Sequence, residues 1–112
     1  MHTEEAMKKK KVVLVYITAK DGEEGKRIGR ILIEEGLAAC GNIFPIRSIY
    51  RWEGGIQEDE EVAMFIKTKA ELVDDILKKV KEVHSYEVPC IVSFPIEKGC
   101  AKFLEWIEKS TK

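Results

Sequence analysis

Asparagine and glutamine are nearly missing from this chain: Asn42 and Gln57 stand alone among 112 residues. With lysine and glutamate abundant, that balance fits a heat-loving source. No apolar run approaches the ~20 residues needed to cross a bilayer, and "MHTEEAMKKK" lacks the apolar centre of a secretory signal. Neither sign of charge dominates, since 19 Lys and Arg face 20 Asp and Glu for a net charge of -1. Such balance gives no general field for nucleic acid or an anionic membrane, so neither partner is expected. Cysteine is sparse and odd in number. Cys40, Cys90 and Cys100 form no CxxC pair, which removes the zinc knuckle and the redox dithiol. Three free thiols are the ordinary state in a reducing compartment, so the expected location is the cytosol. No GxSxG, Walker or Rossmann glycine pattern appears, and no enzyme is expected.

What is present suits one soluble domain. The chain is 45% apolar and 35% charged, and its length is enough for one compact unit and not two. Residues 1–10 read as a polar disordered lead-in and residues 11–112 as the domain. "KVVLVYIT" (11–18) is β-branched and reads as a strand. Asp21 and Glu24 have the spacing of a capping box for the next helix, whose stripe is Ile28, Ile31 and Leu32. Gly25 and Gly29 on neighbouring turns allow that helix close to a sheet, and Gly36 supplies a left-handed stop. Residues 37–52 form a long extended stretch in which Pro45 implies a bulge or an edge. Gly54 and Gly55 suit a tight hairpin, and residues 61–68 return. Thr68 and Glu71 have the spacing of a second capping box, before a helix with Leu72, Ile76, Val80 and Val83 on one face. Residues 88–96 read as a fourth strand, and a short helix carrying Phe103, Leu104 and Ile107 closes the chain. The order βαββαβ plus a helix predicts an α+β, ferredoxin-like sandwich.

That sheet has too much apolar surface for one chain. Val13, Val15 and Ile17 face one side of the first strand while Val12, Leu14 and Tyr16 face the other. The third strand repeats this with Val62, Met64 and Ile66 against Ala63 and Phe65. Two helices cover one face, and the short last helix cannot cover the second alone. Burial is worth roughly 25 cal/mol per Å², so the bare face predicts a closed homo-oligomer. The order of symmetry does not follow from these residues.

"HSYEVPC" (84–90) gathers an imidazole, a phenol, a carboxylate and a thiol. His84 can bind a ligand or cap the preceding helix. Tyr86 and Glu87 can line a mixed pocket or brace the turn. The Cys40 thiol suits soft ions, Cu(I) above all, or packs as a small hydrophobe. Lys67 can anchor a carboxylate or phosphate group, or can snorkel to solvent. Tyr50 and Trp52 share a side of the long strand and can pack across a boundary or line a cleft. Cys90 and Cys100 read as structural or incidental, and Met64 as core.

Several motifs together carry a family resemblance. "LAAC.N", "SIY.WEG.I..D.E", "IKT", "VHSYEVP" and the terminal "FLEWI" occur in the order found in the CutA divalent-cation tolerance proteins, and the chain resembles them over nearly all of its length after Lys11. The resemblance implies a ferredoxin-like subunit in a tight trimer similar to PII signalling proteins, with sheets meeting edge to edge. It implies a cytosolic role in tolerating copper and other divalent ions, and no obligatory cofactor. The metal donors proposed on this basis are Cys40, His84 and Glu87, and sequence spacing leaves open whether they share a site. The intersubunit cleft would use Lys67, Tyr50, Trp52 and Tyr86. The alternative is a PII-like signalling trimer that holds a small anionic metabolite at Lys67. The chain departs from the family at Ser85, where proline is usual and whose absence predicts a looser turn. It also departs at Tyr16, where some members carry cysteine, so a copper site built on that thiol does not transfer.

Overall fold

The β-branched run after Lys11 forms β1, Val12–Ala19, in a computed structural model that describes residues 11–112. The polar lead-in expected over residues 1–10 lies outside the described residues. Helix α1 (Gly22–Glu34) follows, with Asp21 as its N-cap. The long hairpin is β2 (Cys40–Trp52) and β3 (Gly55–Lys69). A single 3-10 turn leads into α2 (Val73–Val83), and β4 (Ile91–Pro95) and α3 (Ala101–Lys109) complete the chain. The four strands form one antiparallel sheet in the order β2-β3-β1-β4. This is the expected ferredoxin-like α+β arrangement, and Pro45 sits on the edge strand, where its missing N–H costs no ladder bond.

One face of the sheet carries the core. Val13, Val15, Ile17, Met64 and Ile66 meet Ile28 and Leu32 of α1 and Ile76 and Val80 of α2, all buried. Helix α1 comes close because it presents glycine: a Cβ at Gly25 would stand 3.1 Å from Val62 and 3.3 Å from Ile43. Gly36 ends α1 with φ 74°, and the Leu37 N–H returns to the Leu32 carbonyl at 2.9 Å.

Several local expectations are corrected. Thr68 caps nothing; it is the buried end of β3, and its hydroxyl donates to the Leu37 carbonyl at 2.6 Å. The turn Trp52–Gly55 takes its positive φ at Glu53 and Gly54, so Gly55 already belongs to β3. β4 is shorter than residues 88–96: Ile91–Pro95 pair in register with β1, and single backbone bonds from Cys90 and Ile96 flank the strand. Asp21 accepts the Glu24 N–H at 2.9 Å, as in a capping box. The reciprocal bond instead goes to the N–H of Lys20, at 3.0 Å.

The second sheet face is only partly covered. α3 packs against β3 and β1 and fully buries Ile107, yet Phe65, Val92 and Phe94 on the same sheet remain exposed. Phe65 is the centre of an aromatic row, edge-on to Phe44 at 4.9 Å and tilted against Tyr16 at 6.1 Å. Beyond the Ala19↔Val62 pair β1 ends. Residues 46–60 of the hairpin therefore project as a two-stranded arm, with Ile49 at 69%, Ile56 at 66% and Trp52 at 51% exposure.

Candidate functional site

The turn after α2 is fastened from three directions. The His84 side chain is fully buried. Its Nε2 lies 2.7 Å from the Thr18 carbonyl, and its Nδ1 receives the Tyr86 N–H at 3.0 Å. A carbonyl at Nε2 and an N–H at Nδ1 suit a ring that donates from Nε2 and accepts at Nδ1. Glu24, buried in α1, completes the fastening. Its carboxylate accepts the Ser85 N–H at 2.7 Å and the Ser85 hydroxyl at 3.0 Å, besides the N–H of Lys20. Burial pushes the Glu24 pKa up, but the Lys20 and Ser85 hydrogen bonds outweigh it and hold the carboxyl below its usual value. Ser85 therefore ties the turn to α1 with two donors that a proline lacks, and the looser turn expected from its presence is not what forms.

This fastening sets out Tyr86, Glu87 and Val88 as one wall of a cleft of about 560 Å³, opposite Tyr16, Thr18, Ser48, Tyr50, Trp52 and Glu61. The strand register explains the opposite wall. Even-numbered residues of β2 share the outer face with odd-numbered residues of β3 and even-numbered residues of β1. The Tyr86 hydroxyl donates to Glu61 and the Tyr50 hydroxyl to Asp59. Burial, reinforced by the bond to Glu61, raises the Tyr86 pKa, and the bond to Asp59 raises that of Tyr50. Both phenols thus stay neutral donors. Among the described residues the cleft walls contain Glu61 and Glu87 and no lysine, arginine or histidine.

The structure gathers some of the expected site residues and separates others. Tyr50, Trp52, Tyr86 and Glu87 line the cleft. Lys67 does not: it lies roughly 20 Å along β3 from Glu61, at the strand rise per residue. There its ammonium bonds the Asn42 side chain and the Phe65 carbonyl. An anion anchored by Lys67 would therefore be outside the cleft, whose own charge is negative. Cys40 pairs in register with Lys67, which pairs with Leu14, while His84 meets Thr18, roughly 13 Å further along β1. Cys40, His84 and Glu87 thus do not converge within one chain. Among the described residues no group of three His, Cys, Asp or Glu is placed to hold a metal ion. A metal reaching His84 must also displace one of its two hydrogen bonds. Cys90, read as structural or incidental, is exposed and borders the cleft. Glu24 was read only as a capping-box residue and Glu61 only as part of a quoted motif; their roles here were missed, because Ser85 and Tyr86 are distant from them in sequence.

Comparison with known proteins agrees with this architecture. The family profile described as CutA1 divalent ion tolerance protein matches residues 13–110. The "Divalent-cation tolerance protein CutA" of Archaeoglobus fulgidus is 47% identical over 98 residues, covering 88% of this chain and 96% of its own. "Protein CutA 1, chloroplastic" of Oryza sativa is 45% identical over 101 residues, covering 89% of this chain and 57% of its own. A solved structure of the periplasmic divalent cation tolerance protein CutA from A. fulgidus superposes with a TM-score of 0.89 at 46% identity, over 90% of this chain and 99% of that one. These relatives are named for different compartments, so location is not constant among them. Among the described residues no helix is long and apolar enough to cross a membrane. A shared profile over almost the whole domain, identity near one half and a common fold lead to one conclusion: the chain belongs to the CutA divalent-cation tolerance family.

Proposed function

We propose that this chain serves divalent-cation tolerance as a closed homotrimer of PII-like form, in the cytosol, and that it binds copper or a related divalent ion between its copies. The observation that carries the reading is the uncovered outer face with its projecting hairpin arm. Phe94, Trp52, Ile49 and Ile56 are each more than half exposed, an arrangement that association relieves. Assembly also supplies what one chain lacks for metal. Cys40 stands on the edge strand, where a neighbouring copy has access to it, and Glu87 lies at the cleft rim as an oxygen donor. His84 holds the turn that carries Glu87, and enters the coordination only if binding releases one of its bonds. The three free cysteines support a reducing compartment.

Two measurements test this. Sedimentation at micromolar concentration is expected to give a trimer, and folded monomers alone would overturn the assembly. Anaerobic Cu(I) titration is expected to give saturable binding by wild type and a loss of at least tenfold in affinity for Cys40→Ser, the size of one lost thiolate ligand at 1.4 kcal/mol or more. Equal affinity removes Cys40 from the site.

A further inference from the structure

His84 is the one imidazole among the described residues, and both of its nitrogens are engaged within its own chain. Nε2 faces the Thr18 carbonyl at 2.7 Å, and Nδ1 receives the Tyr86 N–H at 3.0 Å. A metal ion stands about 2.0–2.1 Å from an imidazole nitrogen, so on either side it would lie in the gap that a hydrogen bond now fills. The ring is fully buried, which leaves no solvent-facing edge for another approach. Turning it outward would strand the Thr18 carbonyl and the Tyr86 N–H, and each stranded group would weaken binding by about five- to hundredfold. The surroundings oppose a cation as well. Glu24 Oε2 lies 3.8 Å from Nδ1, yet both oxygens of that carboxylate are taken, by the Lys20 N–H, the Ser85 N–H and the Ser85 hydroxyl. The Arg27 guanidinium sits 3.5 Å from the same Oε2 and donates to the Val83 carbonyl at 3.1 Å, so a fixed positive charge already completes the network.

We infer that His84 is a permanent brace: it keeps both hydrogen bonds when the protein takes up a metal ion, and the ion is coordinated without imidazole. The inference rests on the metal reading above and narrows the ions that the protein serves. Nitrogen donors suit Cu(II) and Ni(II), whereas a thiolate suits Cu(I). With His84 withheld, Cys40 is the expected donor that remains for a soft ion, and Glu87 offers only a hard oxygen. The cargo that matches this set is Cu(I), and the ions that seek imidazole are served poorly.

The test uses the full-length chain carrying His2→Ala, which makes His84 its single imidazole, with isotopically labelled ring nitrogens. Cu(I) is diamagnetic, so the His84 resonances can be followed by NMR through an anaerobic titration. Cu(I) is expected to bind saturably while both ring resonances keep the positions they have in the metal-free protein, with the Nε2 proton still attached. X-ray absorption at the copper edge is expected to show sulfur neighbours and no imidazole scattering. Ni²⁺ is expected to bind about tenfold more weakly or worse and to leave the His84 resonances sharp. A ring resonance displaced at saturating Cu(I), an imidazole in the copper spectrum, or broadening of His84 by Ni²⁺ overturns the inference while leaving metal binding itself in place. Absence of saturable Cu(I) uptake overturns the metal reading and this inference with it. The side chain at position 84 is unaltered throughout, so the outcome does not depend on a variant that fails to fold.

Discussion

Glu24 acts on a turn far from it in sequence. Its ionised form is favoured by folding, since its folded pKa is held below the ordinary 4.5. The resulting stabilisation is complete above that value and is lost as the pH falls through the lower folded value. At neutral pH, Glu24→Gln is expected to cost about 1 to 3 kcal/mol, because an amide cannot accept all four donors, from Lys20, Ser85 and Arg27, and turns its own N–H groups toward some of them. Urea unfolding of wild type and variant across the acid range checks this: the gap should close as the pH drops below 4.5. Ser85→Pro removes two of the donors to Glu24 and is expected to cost a similar amount, measured in the same way. None of this was legible in "HSYEVPC" alone. The residue types promised a pocket wall, and Tyr86 and Glu87 form one. His84 turned out to be a buried brace, because what an imidazole does is decided by the carbonyl and N–H placed around it. Those come from Thr18 and Tyr86, through tertiary structure that spacing does not encode.

At the scale of elements, the hydrophobic periods placed every helix and strand in the right order. The errors fall where a local signal met a stronger tertiary demand. Thr68 with Glu71 has the spacing of a cap, but Thr68 pairs with Val13 and is buried whole, so the sheet claims it. The α1–sheet contact was legible from its glycines, and it yields a sharp contrast. Gly25→Val drives a branched side chain into Val62 and Ile43 and is expected to cost about 2 to 3 kcal/mol by overpacking. Gly22 opens onto free space, so Gly22→Ala is expected to be neutral or to stabilise by up to about 1 kcal/mol. Thermal melts of the two variants side by side check both. Glu53, held at φ 48°, is a smaller case: Glu53→Gly is expected to gain about 1 kcal/mol by removing the left-handed penalty.

The whole molecule is a sandwich with one finished side. That imbalance was legible from the two-sided apolar strands, because alternation had no polar register to offer. The length of the projecting arm was not, since it depends on where β1 stops beside β3. Ile56 lies on that arm and touches little within its own chain. Ile56→Asp is accordingly expected to leave the monomer's stability within about 0.5 kcal/mol while abolishing assembly, giving lighter species in sedimentation with unchanged circular dichroism. Unaltered mass would show that the arm lies outside the contact between copies.

The overhang of β2 and β3 past the end of β1 also bears on how the protein is made. A newly released chain can complete its helices, its core and the paired part of its sheet, but the last strand segments have only each other to lean on. Under the proposed assembly the slowest refolding phase should therefore quicken as protein concentration rises, since that phase then waits on the arrival of another copy.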